Sequence, residues 1–154
     1  MTQFRWTTLK DTKQHAKALA DKLSGGEVLT LEGDLGAGKT TWTKFFAEAL
    51  GVEGNVNSPT FTIYKMYEGR VPFHHLDVYR LADSEEDLGW DEIFDGEAIS
   101  VVEWARYIEY ALPDERLEMT ITLTEHGERM CTMHGKGARF EQLVKELADD
   151  LARN

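Results

Sequence analysis

The chain has 154 residues, a net charge of −11 at pH 7, 42% hydrophobic and 29% charged side chains, and one cysteine. No run approaches the roughly 20 apolar residues of a membrane span, and the opening Met-Thr-Gln-Phe-Arg-Trp has no signal-peptide core, so a cytoplasmic protein folding as a single domain over residues 1–154 is expected. The acidic balance disfavours a chain whose main task is gripping DNA or RNA, because neutralising phosphates needs clustered Lys and Arg.

In chain order, Phe4-Arg5-Trp6 with Leu9 suggests an opening strand. Asp11 reads as a helix N-cap with Gln14 three residues on, as in a capping box. Ala16, Leu19, Ala20 and Leu23 follow at helical spacing, Ser24-Gly25-Gly26 stops that helix, and Lys10, Lys13 and Lys17 form its solvated stripe. Residues 27–32 read as a strand. After them, Trp42, Phe45, Phe46, Ala49 and Leu50 form the apolar stripe of a second helix that Gly51 ends. Residues 60–67 are β-rich, Glu68-Gly69-Arg70 is a turn, and 71–78 is the returning strand. Asp83-Ser84 caps a short helix through Leu88. Residues 98–102 form a compact apolar strand; Leu117, Met119, Ile121 and Leu123 alternate as in a half-buried one, and residues 130–134 return from Gly127. Cys131 lies in that return and reads as a packing residue in a reducing compartment. Phe140, Leu143, Val144, Leu147 and Leu151 make the closing helix amphipathic. The class is α/β: a sheet flanked by helices, with an antiparallel portion.

Between the 27–32 strand and the second helix lies Gly33-Asp34-Leu35-Gly36-Ala37-Gly38-Lys39-Thr40, which fits G-x-x-x-x-G-K-[ST] in the strand–loop–helix context that motif needs. Glycines let successive backbone N–H groups turn inward around a phosphate, and the helix start adds free donors and the positive end of its dipole. Lys39 then reaches the β- and γ-phosphates, and the Thr40 hydroxyl ligates Mg²⁺. Such a loop needs an acidic partner. Glu103 closes the apolar 98–102 strand, where an acidic Mg²⁺ ligand belongs, and Asp77 ends the 71–78 strand; ligands of open α/β sheets bind beyond these carboxyl ends. Thr60, in Ser58-Pro59-Thr60, is either a turn residue or a hydroxyl presented to the γ-phosphate as in nucleotide switches. Trp104 stacks on a ligand or, more commonly for tryptophan, packs in a core. His74 and His75 have no further ligand at zinc spacing.

Taken together, Gly33 to Thr41, Asn57 to Thr62, His75-x-Asp77-x-Tyr79-Arg80-Leu81 and Val102-Glu103-Trp104 resemble the bacterial TsaE family in order and spacing over about residues 5 to 125. The resemblance implies a P-loop fold, ATP and Mg²⁺ as cofactors, and an ATP-hydrolysing part in making threonylcarbamoyladenosine (t6A) on tRNA. Its implied partners are TsaB and TsaD, with ATP turnover resetting that complex and tRNA reached only through them. Carried over by position, it implies nucleotide contacts from Gly33, Asp34, Leu35, Gly36, Ala37, Gly38, Lys39, Thr40 and Thr41, and also from Thr12. It implies metal ligation by Thr40 and Glu103, and catalytic parts for Lys39, Asp77, Glu103 and Thr60, the role of Asp77 (base, metal support or switch) staying open. Ala105 and Arg106 depart from the proline and the acidic or amide residue the family commonly has after Glu-Trp.

Two other readings remain. A small-molecule kinase shares the loop but usually brings an arginine-rich lid, and arginine is sparse beyond Arg80, Arg106, Arg129 and Arg139. A nucleotide-gated binding subunit would bind ATP with negligible hydrolysis. A GTPase is disfavoured, since neither Asn-Lys-x-Asp nor Asp-x-x-Gly occurs.

Overall fold

The computed structural model describes residues 1–34, 36–56, 63–82 and 89–153. Seven strands form one sheet: β1 (Thr2–Trp6), β2 (Val28–Glu32), β3 (Tyr64–Glu68), β4 (Pro72–Asp77), β5 (Ile99–Glu103), β6 (Arg116–Leu123) and β7 (Arg129–Lys136), in the spatial order β1-β7-β6-β2-β5-β4-β3. The inner four, β4-β5-β2-β6, run parallel; β3 joins one flank antiparallel, and β7 then β1 join the other. Helices α1 (Leu9–Asp21), α2 (Lys39–Ala49) and α4 (Ala138–Ala152) pack on one face. The short helix α3 (Trp90–Phe94) and two 3-10 turns, Tyr79–Leu81 and Ala105–Ala111, cover the other. Among the described residues no helix is long and apolar enough to cross a membrane.

Strand periodicity decides which side chain meets which layer. On β5, Ile99 and Val101 join the apolar layer beneath α1, α2 and α4, while Val102 joins the opposite layer; on β4, Phe73 faces the first layer and Leu76 the second. Because both faces are covered, the parallel strands read as continuous apolar runs in sequence. That is why residues 98–102 carry no alternation although their side chains do alternate in space.

Four local expectations are corrected. Asp11 is the third residue of α1, not its N-cap: the helix starts after Thr8, and Asp11 Oδ2 accepts from the backbone N–H groups of Thr7 at 2.8 Å and Thr8 at 3.1 Å. A carboxylate there answers free donors at the positive helix end as a cap would, so the sequence signal was right and its frame three residues off. Leu9 belongs to α1 and is exposed, rather than extending β1, and Leu123 at the far end of β6 is exposed as well. On α2 the inward face is Trp42, Thr43, Phe46 and Ala47, with Phe45 and Ala49 only half-buried. The expected strand start at 60–62 and the short helix at 83–88 lie outside the described residues.

His15 fastens α1 to α2 and β7. It is buried; Trp42 Nε1–H donates to its Nδ1 at 3.0 Å, which leaves the proton on Nε2, facing Met133 Sδ at 3.3 Å. Burial lowers its pKa to about 3, against 6.5 for a free imidazole. The folded state therefore keeps His15 neutral where the unfolded chain protonates it, so its contribution to stability is complete above pH 6.5 and is lost as pH falls toward about 3. Unfolding free energies of wild type and His15→Gln, measured by denaturant between pH 7 and 4, should converge on acidification, the wild-type curve falling more steeply by up to about 1.4 kcal/mol per pH unit. Parallel curves would refute the buried neutral imidazole.

Candidate functional site

The loop that leaves β2 passes tightly against β6: a Cβ on Gly33 would lie 2.6 Å from the Ile121 carbonyl oxygen. Glycine is required there by close approach. Ala37 N–H then donates to Asp34 O at 3.0 Å, the Ala37 methyl is buried in the core, and Gly38 takes the left-handed conformation (φ 109°) immediately before α2. Among the described residues no side chain caps this end of α2. Its first N–H groups have no intrahelical partner, and with the helix dipole they form a ready anion site.

A cavity of about 720 Å³ opens in front of this helix end, lined by Gly36, Gly38, Lys39, Thr40, Thr41, Asp77, Tyr79, Arg80, Glu103, Trp104 and Arg129. Strand parity brings the acids there. Asp77 and Glu103 are register partners at the ends of β4 and β5, each spaced by an even number of residues from Phe73 and Val101, side chains of the α2 layer. Glu103 is only 4% exposed, and two cations or donors meet it: Lys39 Nζ at 3.7 Å from Oε1 and His75 Nε2 at 2.8 Å from Oε2. A carboxylate only accepts, so His75 donates from Nε2, and its buried Nδ1 has no hydrogen-bond partner among the described residues. Burial raises the Asp77 pKa above the ordinary carboxylate value, opposed by the Tyr79 backbone N–H that its carboxylate accepts and reinforced by neighbouring Glu103.

Trp104 follows Glu103 in the left-handed region (φ 61°), a costly conformation for a bulky residue. The turn sets the half-buried indole at the edge of the second apolar layer and in the cavity wall, where Lys39 Nζ lies 4.8 Å from its ring centroid and the Arg106 guanidinium 4.7 Å. The packing expected of a tryptophan is thus met in part: the ring is half-buried against the apolar layer of that face and also forms cavity wall. Arg106, at the point where the chain departs from the family pattern, also bonds Glu32 at 2.9 Å.

Of the residues singled out from sequence, Gly36, Gly38, Lys39, Thr40, Thr41, Asp77 and Glu103 line this one cavity. Gly33, Asp34 and Ala37 shape the loop behind it. Thr12 is buried in the wall of an adjoining cavity of about 170 Å³ that shares Gly38, Thr41 and Arg129 with the first. Leu35 and Thr60 lie outside the described residues. Sequence reasoning missed His75 as the partner of Glu103 and Arg129 as a wall of the cavity. Two-residue spacing from Asp77 pointed to His75; nothing local pointed to Arg129.

Comparison with known proteins gives the family and the fold. The family model described as threonylcarbamoyl adenosine biosynthesis protein TsaE matches residues 6–131. A tRNA threonylcarbamoyladenosine biosynthesis protein TsaE of Bacillus subtilis (strain 168) is 52% identical over 151 residues, covering 96% of each chain. Its counterpart in Treponema pallidum (strain Nichols) is 35% identical over 126 residues, covering 80% of this chain and 93% of that one. The crystal structure of YdiB from Bacillus subtilis superposes with a TM-score of 0.84 at 45% identity, covering 97% of this chain and 95% of that one. The fold is that of a P-loop protein, and the chain belongs to the TsaE family of tRNA threonylcarbamoyladenosine biosynthesis.

Proposed function

We propose that this chain is a Mg²⁺-dependent ATP hydrolase of the t6A machinery, acting with TsaB and TsaD in the cytoplasm to reset that complex between turnovers. The observation that carries the reading is the meeting of Lys39, Glu103 and Asp77 in front of the uncapped start of α2. The acidic charge of the chain suits contact with tRNA through those partners rather than directly, and gives no reason to invoke DNA or a membrane.

The donor set fits magnesium. Mg²⁺ prefers hard oxygen ligands and is commonly held by one or two carboxylates together with substrate phosphates, not by a protein-only cage. Thr40 and Glu103 would hold it, His75 fixing one Glu103 oxygen and orienting the group. Bound there, the ion would neutralise charge on the β- and γ-phosphate oxygens. The remaining work belongs to side chains. The N–H groups at the start of α2 receive the phosphates, and Lys39 exchanges its long contact with Glu103 for them. Asp77, whose raised pKa makes it a better proton acceptor than an ordinary carboxylate, orients water and takes its proton. Trp104 closes the wall beside Lys39.

Phosphate release from ATP by the pure chain should be slow, should rise on addition of TsaB and TsaD, and should fall by about 10²-fold or more in Lys39→Ala and Glu103→Ala. A small acceptor that becomes phosphorylated would replace the hydrolase with a kinase. Unaltered tRNA modification by a variant that binds ATP without hydrolysing it would favour the gated subunit.

Asp77 separates catalysis from stability. Its folded pKa lies above the unfolded one, so ionising it costs stability above the folded value, and that cost disappears as pH falls through it. Asp77→Asn should therefore melt at the same temperature as wild type or higher at pH 7, while losing most ATPase activity and the acidic limb of the pH–rate profile. A lower melting temperature with activity intact would assign Asp77 to structure.

A further inference from the structure

The strand β3 (Tyr64–Glu68) ends the sheet opposite β1 and, among the described residues, pairs only with β4. An edge strand offers N–H and C=O groups to any extended chain, and proteins normally blunt such an edge. This one instead carries Met66, a large apolar side chain 58% exposed. On the face away from α2, a cavity of about 530 Å³ lies between the edge and α3, with Tyr64, Met66, His74, Trp90, Glu92 and Ile93 in its walls. It shares no described wall residue with the cavity in front of α2.

The walls and rim of this cavity say what it takes. His74 is 8% exposed, burial lowers its pKa so that the ring is neutral at pH 7, and its buried Nδ1 has no hydrogen-bond partner among the described residues. A buried polar atom left unpaired is costly, and here it belongs to the wall of an open, largely apolar cavity. The rim is acidic: Glu68, Asp91, Glu92 and Asp95 are exposed, and the ion pairs among the described residues involve none of them. Such a rim repels nucleic acid and attracts Lys and Arg. We propose that this edge docks a protein partner through an extended segment that pairs along β3, seats an apolar side chain against Met66 in the cavity, and brings basic residues to the acidic rim. This rests on the partner part of the reading above and gives that contact a place and a chemistry. On β4, His74 lines this cavity and the next residue, His75, donates to Glu103, so the docked segment braces from behind the strand that orients the carboxylate.

The test is calorimetric titration of the full chain, with MgATP present, against the TsaB–TsaD complex, together with hydrogen exchange of the β3 amides in the mixture. Met66→Lys and Glu92→Lys should weaken binding about tenfold or more and lose the stimulation of hydrolysis, while basal ATPase activity stays that of wild type. Met66→Leu keeps the apolar surface and should bind as wild type does. Gln3→Lys, which adds a positive charge at the opposite edge of the sheet, should do so too. In the complex the amides of residues 64–68 should exchange about tenfold more slowly or better. Binding by Met66→Lys and Glu92→Lys within about twofold of wild type, or β3 amides left unprotected, overturns this surface and leaves the partner reading standing. Protection of β3 by tRNA in place of TsaB–TsaD assigns the edge to nucleic acid and overturns it as well. Absence of TsaB–TsaD binding by wild type overturns both.

Discussion

A carboxylate 4% exposed cannot stay in a protein interior unless neighbouring groups replace the water it has lost, and Glu103 sets that requirement for the whole site. His75 supplies one hydrogen bond and Lys39 a nearby charge. To meet there, the ends of β4 and β5 must be in register and the first turn of α2 must stand directly in front of them. The sheet order places β2 beside β5, so the loop leaving β2 starts one strand away from the carboxylate. Each requirement is a statement about backbone placement, and together they define the cavity.

The groups that compensate Glu103 are themselves pinned by packing. Rings run in unbroken contact from His15 to Trp42, Phe46, Phe73 and His75, with centroid separations between 4.8 and 6.3 Å. This row crosses from α1 through α2 to β4 and ends at the imidazole that donates to Glu103. Core packing at native density fixes such rings in place, so His75 arrives at the carboxylate already oriented. The residues that face the cavity pay for exposure differently: Trp104 is set in the cavity wall by a left-handed backbone, a strained conformation of the kind that recurs at functional positions.

A nucleotide reading gives these features a common purpose. Among the described residues the helix end has no side-chain cap, Lys39 is held only at 3.7 Å from its carboxylate, Asp77 carries a raised pKa, and Arg129 rests on carbonyls. Each is a polar group held short of its strongest partner, the state expected of a site prepared for a multiply charged ligand and costly to the empty protein.

Much of this was legible in the residues. The strand–loop–helix order around Gly33–Thr40 follows from local propensity, and glycines before Lys39-Thr40 leave little alternative. Apolar runs ending in an acid located Asp77 and Glu103, because covered parallel strands advertise themselves by continuous hydrophobicity. Boundaries were less legible: Asp11 serves the first turn of α1 as well from its third position as from its cap, so sequence could not choose between frames. Trp104 was only half legible, because tryptophan's average burial says nothing about the one backbone angle that also puts its ring in the cavity wall. The pairing of His75 with Glu103 and the place of Arg129 were not legible for a further reason: spacing from Asp77 marks the strand face of His75 but not its partner. A side chain on β4 acquires its meaning from β5, and one on β7 from the loop after β2. Those neighbours are made by strand order and register, which cooperative packing of the whole sheet decides and no local pattern encodes.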